Sequence, residues 1–391
     1  MNLSQEAINR LVIGGIGLAM LVGLLAFAFR YVPLLRQVSA GWDRFWFAPR
    51  DPRCLAFMRL AGGLVIFYVH LTYSWGLLQY LGPDAWLDKA QADYMRKDID
   101  IWAFDNDWFD MPVPWSKGNY FWSVFFHVES TGEIIALHVL FLLCMLAFAA
   151  GFLTPYSGLL TWLGAMSYVQ RATTTVFGLD TMMMILLLYL MIAPSGAVWS
   201  VDRWLAERRA RARGEEPEPV RPSVFANFAT RLIQFHFGYI YIASGTSKLL
   251  GATWWGGTAL NYVMLNPDFA PMAWAPYYNL MWALAQERWV WEVVVSLSIV
   301  ATLLIELGLV FLAWDKRWTW LMVCGACGLH FGIAIIMGLT TFSLMMLVLV
   351  FAFVPPEALK ARVPEIGRKL AWLWTGKKQE PKQERELAGV R

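Results

Sequence analysis

The chain has 391 residues, of which 58% are hydrophobic and 16% are charged, whereas soluble domains carry about 25% charged residues. Its apolar residues fall in runs of about 18 to 25, the length that a helix needs to span hydrocarbon, so the composition excludes a soluble protein. The formal net charge of +3 is too small to indicate a nucleic-acid-binding protein. The sequence therefore predicts an all-α integral membrane protein, a polytopic helical bundle with interfacial helices on its outer side.

Hydropathy and length predict about nine membrane-spanning helices. The predicted spans are 11–29, 54–80, 132–152, 157–171, 179–199, 229–248, 290–314, 318–339 and 341–354. The first is expected to be retained as an anchor, because only Arg10 precedes it as a basic residue and no small-residue cleavage site follows it. We divide the chain into an anchor helix with a basic juxtamembrane segment (1–45), a transmembrane domain (46–355) and a basic tail (356–391).

The basic residues predict the orientation of the chain. Arginines crowd the loops at 30–53 and 203–213, which have the same parity, and the basic tail shares it. Aspartates and tryptophans crowd the opposite stretch at 84–122, a mixture that indicates interfacial helices on the outer surface. Because basic loops stay in the cytoplasm, we expect an inner-membrane protein with its amino terminus outside and its carboxyl terminus inside.

Ionisable residues within apolar spans are costly, so they are usually functional or paired. Lys248 ends its span, and helical spacing places Tyr241, Ser244 and Lys248 on one helix face. A lysine at the rim of a dry cavity can act as a base. The alternative is a lysine that extends to the headgroups beside Trp254 and Trp255.

Two carboxylates raise a similar question. Glu306 lies well inside its span, so it needs a partner such as His330 or an arginine of another helix, either as a structural pair or for proton handling. Asp180 begins its span on the predicted outer side, where aspartate is an ordinary helix start. Because Lys248 also lies at an outer end, the two residues are placed to share one cavity.

Cysteine and histidine side chains offer a weaker signal. Cys324, Cys327 and His330 lie three residues apart near one helix face, but the sequence offers no evident fourth ligand and membrane cysteines commonly just pack. We therefore predict no metal site. The remaining histidines within spans are expected to be hydrogen-bonded packing residues, namely His70, His138 and His236.

Three segments carry a family resemblance. They are DPRCLAFMR at 51–59 with the glycines that follow at 62 and 63, SGTSKL at 244–249 with WWGGTA at 254–259, and GLH at 328–330 with Phe342 and Ser343. In this order they resemble the vitamin K-dependent γ-carboxylase-like family, whose bacterial members are known as horizontally transferred transmembrane domain proteins. The similarity extends over about residues 46–355.

The resemblance implies a membrane-embedded enzyme whose cofactor is a reduced, vitamin K-like quinone or another isoprenoid lipid. In the carboxylase a lysine deprotonates the quinol, which is oxygenated to a strong base that removes a proton from a glutamate before carbon dioxide adds. The implied catalytic residues are Lys248, Asp180 and His330, and the implied cofactor contacts are Tyr241, Ser244, Trp254 and Trp255. The histidine that assists the lysine in the animal enzyme falls near Asp180, so that partner is replaced here.

Two other functions remain open from the sequence. The first is a non-catalytic membrane subunit that holds a partner protein. The second is a proton-coupled transporter that uses Glu306, although the lack of paired broken helices argues against it. The expected partners are the lipid bilayer and a protein substrate or membrane-complex partner.

Overall fold

The computed structural model describes residues 5–92, 122–128, 130–266 and 275–359. These residues form helices and no β-strand, and one isolated antiparallel bridge joins Arg50 to Ser223. The all-α prediction is thus confirmed. The chain divides into two compact units, Met1–Pro49 and Arg50–Arg391. Most of the predicted tryptophan-rich outer segment and the basic tail lie outside the described residues.

The first unit contains one long helix, α1 (Gln5–Phe47), of 43 residues. At 1.5 Å per residue its axis is about 65 Å long. Its apolar stretch, Val12–Phe27, is shorter than a full membrane span, and the side chains of this stretch are exposed all round. A helix that is apolar on every side is typical of a segment that contacts lipid.

The second unit is a helical bundle. Its helices are α2 (Arg53–Thr72), α3 (Leu77–Leu81), α4 (Thr131–Ala150), α5 (Thr154–Arg171), α6 (Gly178–Ile192), α7 (Val201–Ala212), α8 (Val224–Leu249), α9 (Ala252–Trp255), α10 (Ala259–Leu265), α11 (Ala275–Gln286), α12 (Arg288–Leu312), α13 (Thr319–Ile336) and α14 (Thr340–Val350). Short 3₁₀ helices lie at Tyr73–Gly76, Val124–Phe126, Thr173–Thr175 and Phe351–Phe353.

Each of the predicted spans coincides with a helix, but they differ in length and apolarity. In the described part of the chain, four elements are long and apolar enough to cross a membrane: Arg53–Leu81, Thr131–Ala150, Arg288–Leu312 and Thr319–Ile336. The apolar helix α6 ends at Ile192, short of the predicted residue 199, because Pro194 disfavours a helical conformation at Ala193. The apolar helices indicate a membrane protein, whereas nine full spans are not confirmed.

The helices share one large hydrophobic core. Helices α2, α4, α5 and α6 pack together as one group, and α8, α12, α13 and α14 pack as another, with α14 also in contact with α2 and α6. Helices α2 and α4 approach closely at Gly63, where an added Cβ would lie 2.8 Å from Ala149 Cα. The second group of helices carries most of the polar residues singled out in the sequence.

Hydrogen bonds with α7 hold the connection between the end of α4 and the start of α5. The Asp202 carboxylate, from α7, accepts hydrogen bonds from the backbone N–H groups of Leu153 and Thr154, at 2.8 and 2.9 Å. Gly151 ends α4 with a φ of +71°, and an added Cβ there would collide with the guanidinium of buried Arg59. The charged helix α7 therefore caps its neighbour, and a glycine leaves the room that the arginine needs.

Candidate functional site

Helix α8 presents Tyr241, Ser244 and Lys248 toward α12 and α13, as the predicted common face requires. The register with α12 is set by Gly245, because an added Cβ would lie 2.7 Å from Leu307 Cδ2. The two helices run antiparallel here, and this close approach brings Glu306 opposite Lys248.

Lys248 and Glu306 form an ion pair between helices. Lys248 Nζ donates hydrogen bonds to Glu306 Oε1 at 2.8 Å and to Ser244 Oγ at 2.5 Å, and the Ser244 hydroxyl donates to the same Glu306 oxygen at 3.2 Å. The Lys248 side chain is 22% exposed and that of Glu306 is 9% exposed. Because a buried charge without a partner is strongly destabilising, each residue makes the burial of the other tolerable.

The ion pair lies deep along α12. Glu306 is about 27 Å from Arg288 and about 9 Å from Leu312 along the helix axis, at 1.5 Å per residue. Helix α12 is one of the elements long and apolar enough to span a membrane. The pair is therefore not at the Arg288 end of α12. The contact favours a lysine that binds a carboxylate between helices over a lysine that extends to the headgroups.

Glu306 was expected to bind a histidine or an arginine, and this expectation is wrong in the identity of the partner. The antiparallel register at Gly245 brings Lys248 to its carboxylate instead. One oxygen of the carboxylate, Oε2, is buried and has no hydrogen-bond partner among the described residues. A buried acceptor left unpaired costs about 1–3 kcal/mol, so it is a feature that requires an explanation.

His330 is bonded to Tyr241 rather than to Glu306. Its Nε2 and the Tyr241 hydroxyl lie 2.7 Å apart, and its ring contacts that of Phe342 with centroids 6.0 Å apart. Its other nitrogen, Nδ1, is buried without a hydrogen-bond partner in the described part of the chain, and so is the hydroxyl of Ser343. The structure thus brings Tyr241 and His330 together, and it places Tyr241 two turns from Lys248 on α8.

The two tryptophans predicted to contact a cofactor have different surroundings. The Lys248 amine lies 5.3 Å from the centroid of the Trp254 ring, within the range of a cation–π contact. Trp255 is 75% exposed, and its Nε1 donates a hydrogen bond to the backbone of Leu249 at 2.6 Å. Trp254 therefore belongs to the surroundings of the ion pair, whereas Trp255 caps the end of α8.

Asp180 lies at a different cleft from the ion pair. Its carboxylate accepts a hydrogen bond from Phe177 N at 2.9 Å, as a helix-start aspartate does. It lines a cleft of about 220 Å³ together with Tyr73, Thr175 and Thr341 among others, and Lys248 is not part of that lining. The expected shared cavity is therefore wrong, because the start of α6 packs beside the end of α2 and the start of α14.

A larger, apolar cleft was not predicted from the sequence. It has a volume of about 380 Å³ and lies between α10, α12 and α13. Small residues on α13 make room for it, since Gly325, Gly328 and Gly332 follow one helix face. Thr302 also lines it and lies one turn before Glu306 on α12. The recurring glycines on α13 are the sequence signal that could have indicated this cleft.

The other cysteines and histidines behave as packing groups. Cys324 is exposed and Cys327 half-buried, and no three His, Cys, Asp or Glu residues within the described ranges are grouped so as to hold a metal ion. His70 Nδ1 lies 2.8 Å from the backbone oxygen of Ile66. The other two histidines predicted to pack are also hydrogen-bonded: His138 to Ser74 and Tyr168, and His236 to Tyr189.

Comparison with known proteins gives no relative for this arrangement. No family model, no curated protein and no solved structure matches the chain. Its function therefore has to be argued from the geometry of its own residues.

Proposed function

We propose that this protein is a membrane-embedded enzyme of the vitamin K-dependent γ-carboxylase-like class, which acts on a quinol or another isoprenoid lipid through acid–base chemistry at Lys248. The observation that carries the proposal is the Lys248–Glu306 ion pair with Ser244, which joins the end of α8 to the apolar helix α12. Charged side chains at such a position are costly and mark functional sites in membrane proteins. In the predicted orientation the site is reached from the non-cytoplasmic side of the inner membrane, along the part of α12 between Arg288 and Glu306.

The apolar cleft supports a lipid as the ligand. Its lining is mostly aliphatic, and a volume of about 380 Å³ is enough for part of an isoprenoid chain. The residues of the ion pair do not line the cleft, but Thr302 does, and it lies one turn before Glu306 on α12. An apolar tail in the cleft would therefore hold a polar head near Lys248.

The remaining predicted residues have unequal roles in this proposal. Tyr241 and His330 form the polar wall next to Ser244, and Trp254 lies against the Lys248 amine. Asp180 lines its own cleft, to which Lys248 does not contribute, so we assign it no direct role beside Lys248. The histidine that assists the lysine in the animal enzyme therefore has no counterpart in Asp180.

The proposal is tested with Lys248→Met, which keeps the apolar stem and removes the amine. The full chain in lipid nanodiscs is supplied with a reduced isoprenoid naphthoquinone, and quinol-dependent oxygen uptake is measured. Loss of an acid–base group lowers such a rate by about 100-fold or more. The matched control is Lys316→Met, which removes an exposed lysine and should leave the rate unchanged.

Two results would contradict the proposal. Equal oxygen uptake by Lys248→Met and the unchanged protein would remove Lys248 from the chemistry. If the wild-type protein neither consumes oxygen with the quinol nor binds the quinol, a non-catalytic membrane subunit is the better proposal.

A further inference from the structure

The hydrogen bonds of the ion pair show which of its two side chains donates protons and which accepts them. Both donors, the Lys248 amine and the Ser244 hydroxyl, are directed at the same carboxylate oxygen, Oε1 of Glu306. Because Ser244 uses its single proton for that bond, it accepts from Lys248, which therefore donates in both of its contacts. In the ion pair the lysine nitrogen carries its full set of protons and has no lone pair to receive another.

One carboxylate oxygen of Glu306, Oε2, has no hydrogen-bond donor in the described structure and can accept a proton. Oε2 is buried and has no hydrogen-bond donor among the described residues, whereas Oε1 has two. The side chain is also more than nine-tenths buried, so bulk water does not compete for this oxygen. A carboxylate held in this way has one satisfied oxygen that fixes it in place and one free oxygen that can receive a proton.

We infer that Glu306, through Oε2, is the proton acceptor of the site and that Lys248 stabilises the anion that forms. This inference rests on the proposed function and reassigns the base within it. The O–H bond of the quinol breaks, its proton joins Glu306 Oε2, and its electron pair stays on the quinol oxygen as a phenolate. No electron is gained or lost in this step.

The surroundings of Lys248 suit an anion-stabilising role. An ammonium has three N–H donors, and the two bonds to Ser244 and Glu306 leave one for the phenolate oxygen. After Glu306 is protonated, the ammonium no longer faces a carboxylate, so its charge is available to the new anion. The Trp254 ring, 5.3 Å from the amine, keeps the charge in place while its partner changes.

Infrared difference spectroscopy on the unaltered full chain provides the first test. The isoprenoid naphthoquinol is added without oxygen to protein in nanodiscs, and phenolate formation is followed in parallel by ultraviolet absorbance. We expect a protonated carboxyl band to appear with the phenolate and to shift when the protein is made with [¹³C]glutamate. A phenolate without that band would overturn the inference, because the proton would then be elsewhere, as on Lys248.

Variants provide the second test. Glu306→Gln should lower quinol-dependent oxygen uptake by about 100-fold or more and abolish the carboxyl band. Glu306→Asp, which keeps a carboxylate, should recover part of the rate and give a band that [¹³C]glutamate no longer shifts. Wild-type uptake in Glu306→Gln would overturn the inference while the proposed function stands.

Failure of the proposed function and failure of the inference about Glu306 give different results. If the unaltered protein forms no phenolate and consumes no oxygen with the quinol, the proposed function is wrong and this inference is wrong with it. If Glu306→Gln does not fold, the isotope shift measured in the unaltered protein still decides between a glutamate carboxyl and the Lys248 amine, and Glu306→Asp, by losing that shift, assigns the carboxyl to Glu306.

Discussion

Gly245 is the residue that makes the ion pair possible. It lies between Ser244 and Lys248 on α8, and its missing side chain lets Leu307 of α12 approach the helix backbone. A larger residue would have to displace the Leu307 side chain, next to Glu306 on α12. Glycine in a helix interior costs about 1 kcal/mol relative to alanine, so its presence here has to be offset by packing.

Gly245→Ala should therefore destabilise the protein, in contrast to Gly238→Ala on the same helix. The added Cβ at Gly245 would lie 2.7 Å from Leu307, whereas at Gly238 the nearest atom, Val310 Cγ1, is 4.0 Å away. Overpacking of this kind costs about 1–3 kcal/mol. Thermal unfolding in detergent micelles should show the difference between the two variants.

A compensating change sharpens this experiment. Leu307→Ala removes the atoms that collide, so the double variant should regain part of the stability lost in Gly245→Ala. Equal unfolding midpoints for the two glycine variants would mean that the helices have room to move apart at no cost.

Among the elements, the join between α7 and α5 is held by a single carboxylate. Asp202 binds two backbone N–H groups at the start of α5 and also accepts from the Thr154 hydroxyl at 2.7 Å. Burial raises the pKa of Asp202, but the hydrogen bonds from Thr154 and Leu153 and the charge of Arg59 outweigh burial, so the pKa lies below its ordinary value. The charged form of Asp202 is thus favoured in the folded protein.

The stability contributed by Asp202 should depend on pH. Because the folded-state pKa is depressed, the contribution is complete above the unfolded-state value of about 3.9 and is lost as the pH falls through the folded-state value. Loss of a helix cap costs about 1 kcal/mol, so Asp202→Asn should unfold at a lower temperature at pH 7. Below about pH 4 the difference from the unchanged protein should shrink.

An exposed carboxylate serves as the control for this measurement. Glu215→Gln alters an exposed side chain whose ion-pair partner in the described structure is the exposed Arg213, so it should leave the midpoint nearly unchanged at both pH values. A deficit of Asp202→Asn that stays constant down to the lowest pH would show that its cause is not the charge of the carboxylate.

At the scale of the whole molecule, orientation in the membrane determines which side reaches the site. The arginine-rich loops predict that the α7–α8 connection is cytoplasmic and that the loop after α3 is outside. In a background without the four native cysteines, Asp84→Cys should react with an impermeant thiol reagent added to spheroplasts. Glu216→Cys should react only after the membrane is opened.

Both test positions are exposed in the described structure, so burial would not explain a lack of labelling. Labelling of Glu216→Cys in intact spheroplasts, with protection of Asp84→Cys, would invert the orientation. It would also move the proposed site to the cytoplasmic side.

Hydropathy was sufficient to find the long apolar helices of the described residues, but not the polar or short helices α7, α9, α10 and α11, and not the contacts between helices. The predicted boundaries of α12 and α13 differ from the observed ones by only a few residues, because a long apolar run has few other solutions. The partner of Glu306 depends on the register between α8 and α12, which a hydropathy pattern does not contain. Asp180 was grouped with Lys248 by membrane side alone, and side does not determine which helices are neighbours.

The site residues on one helix were easier to predict than those on several. Tyr241, Ser244 and Lys248 follow from helical spacing, and the structure keeps them on one face. The apolar cleft depends on where α10, α12 and α13 leave space between them. Such a space is a property of three-dimensional packing, and the glycines of α13 alone do not specify it.

The depth of Glu306 along α12 has an electrical consequence. A proton that enters from the Arg288 end and stops at Glu306 would cross more than half of the membrane thickness. A full crossing changes the energy of an elementary charge by about 2.3 kcal/mol per 100 mV, so this partial crossing corresponds to roughly 1.5 kcal/mol. With the proposed orientation, an inside-negative voltage would favour movement of a proton to the carboxylate, so the proposed reaction would depend on the membrane potential of the cell.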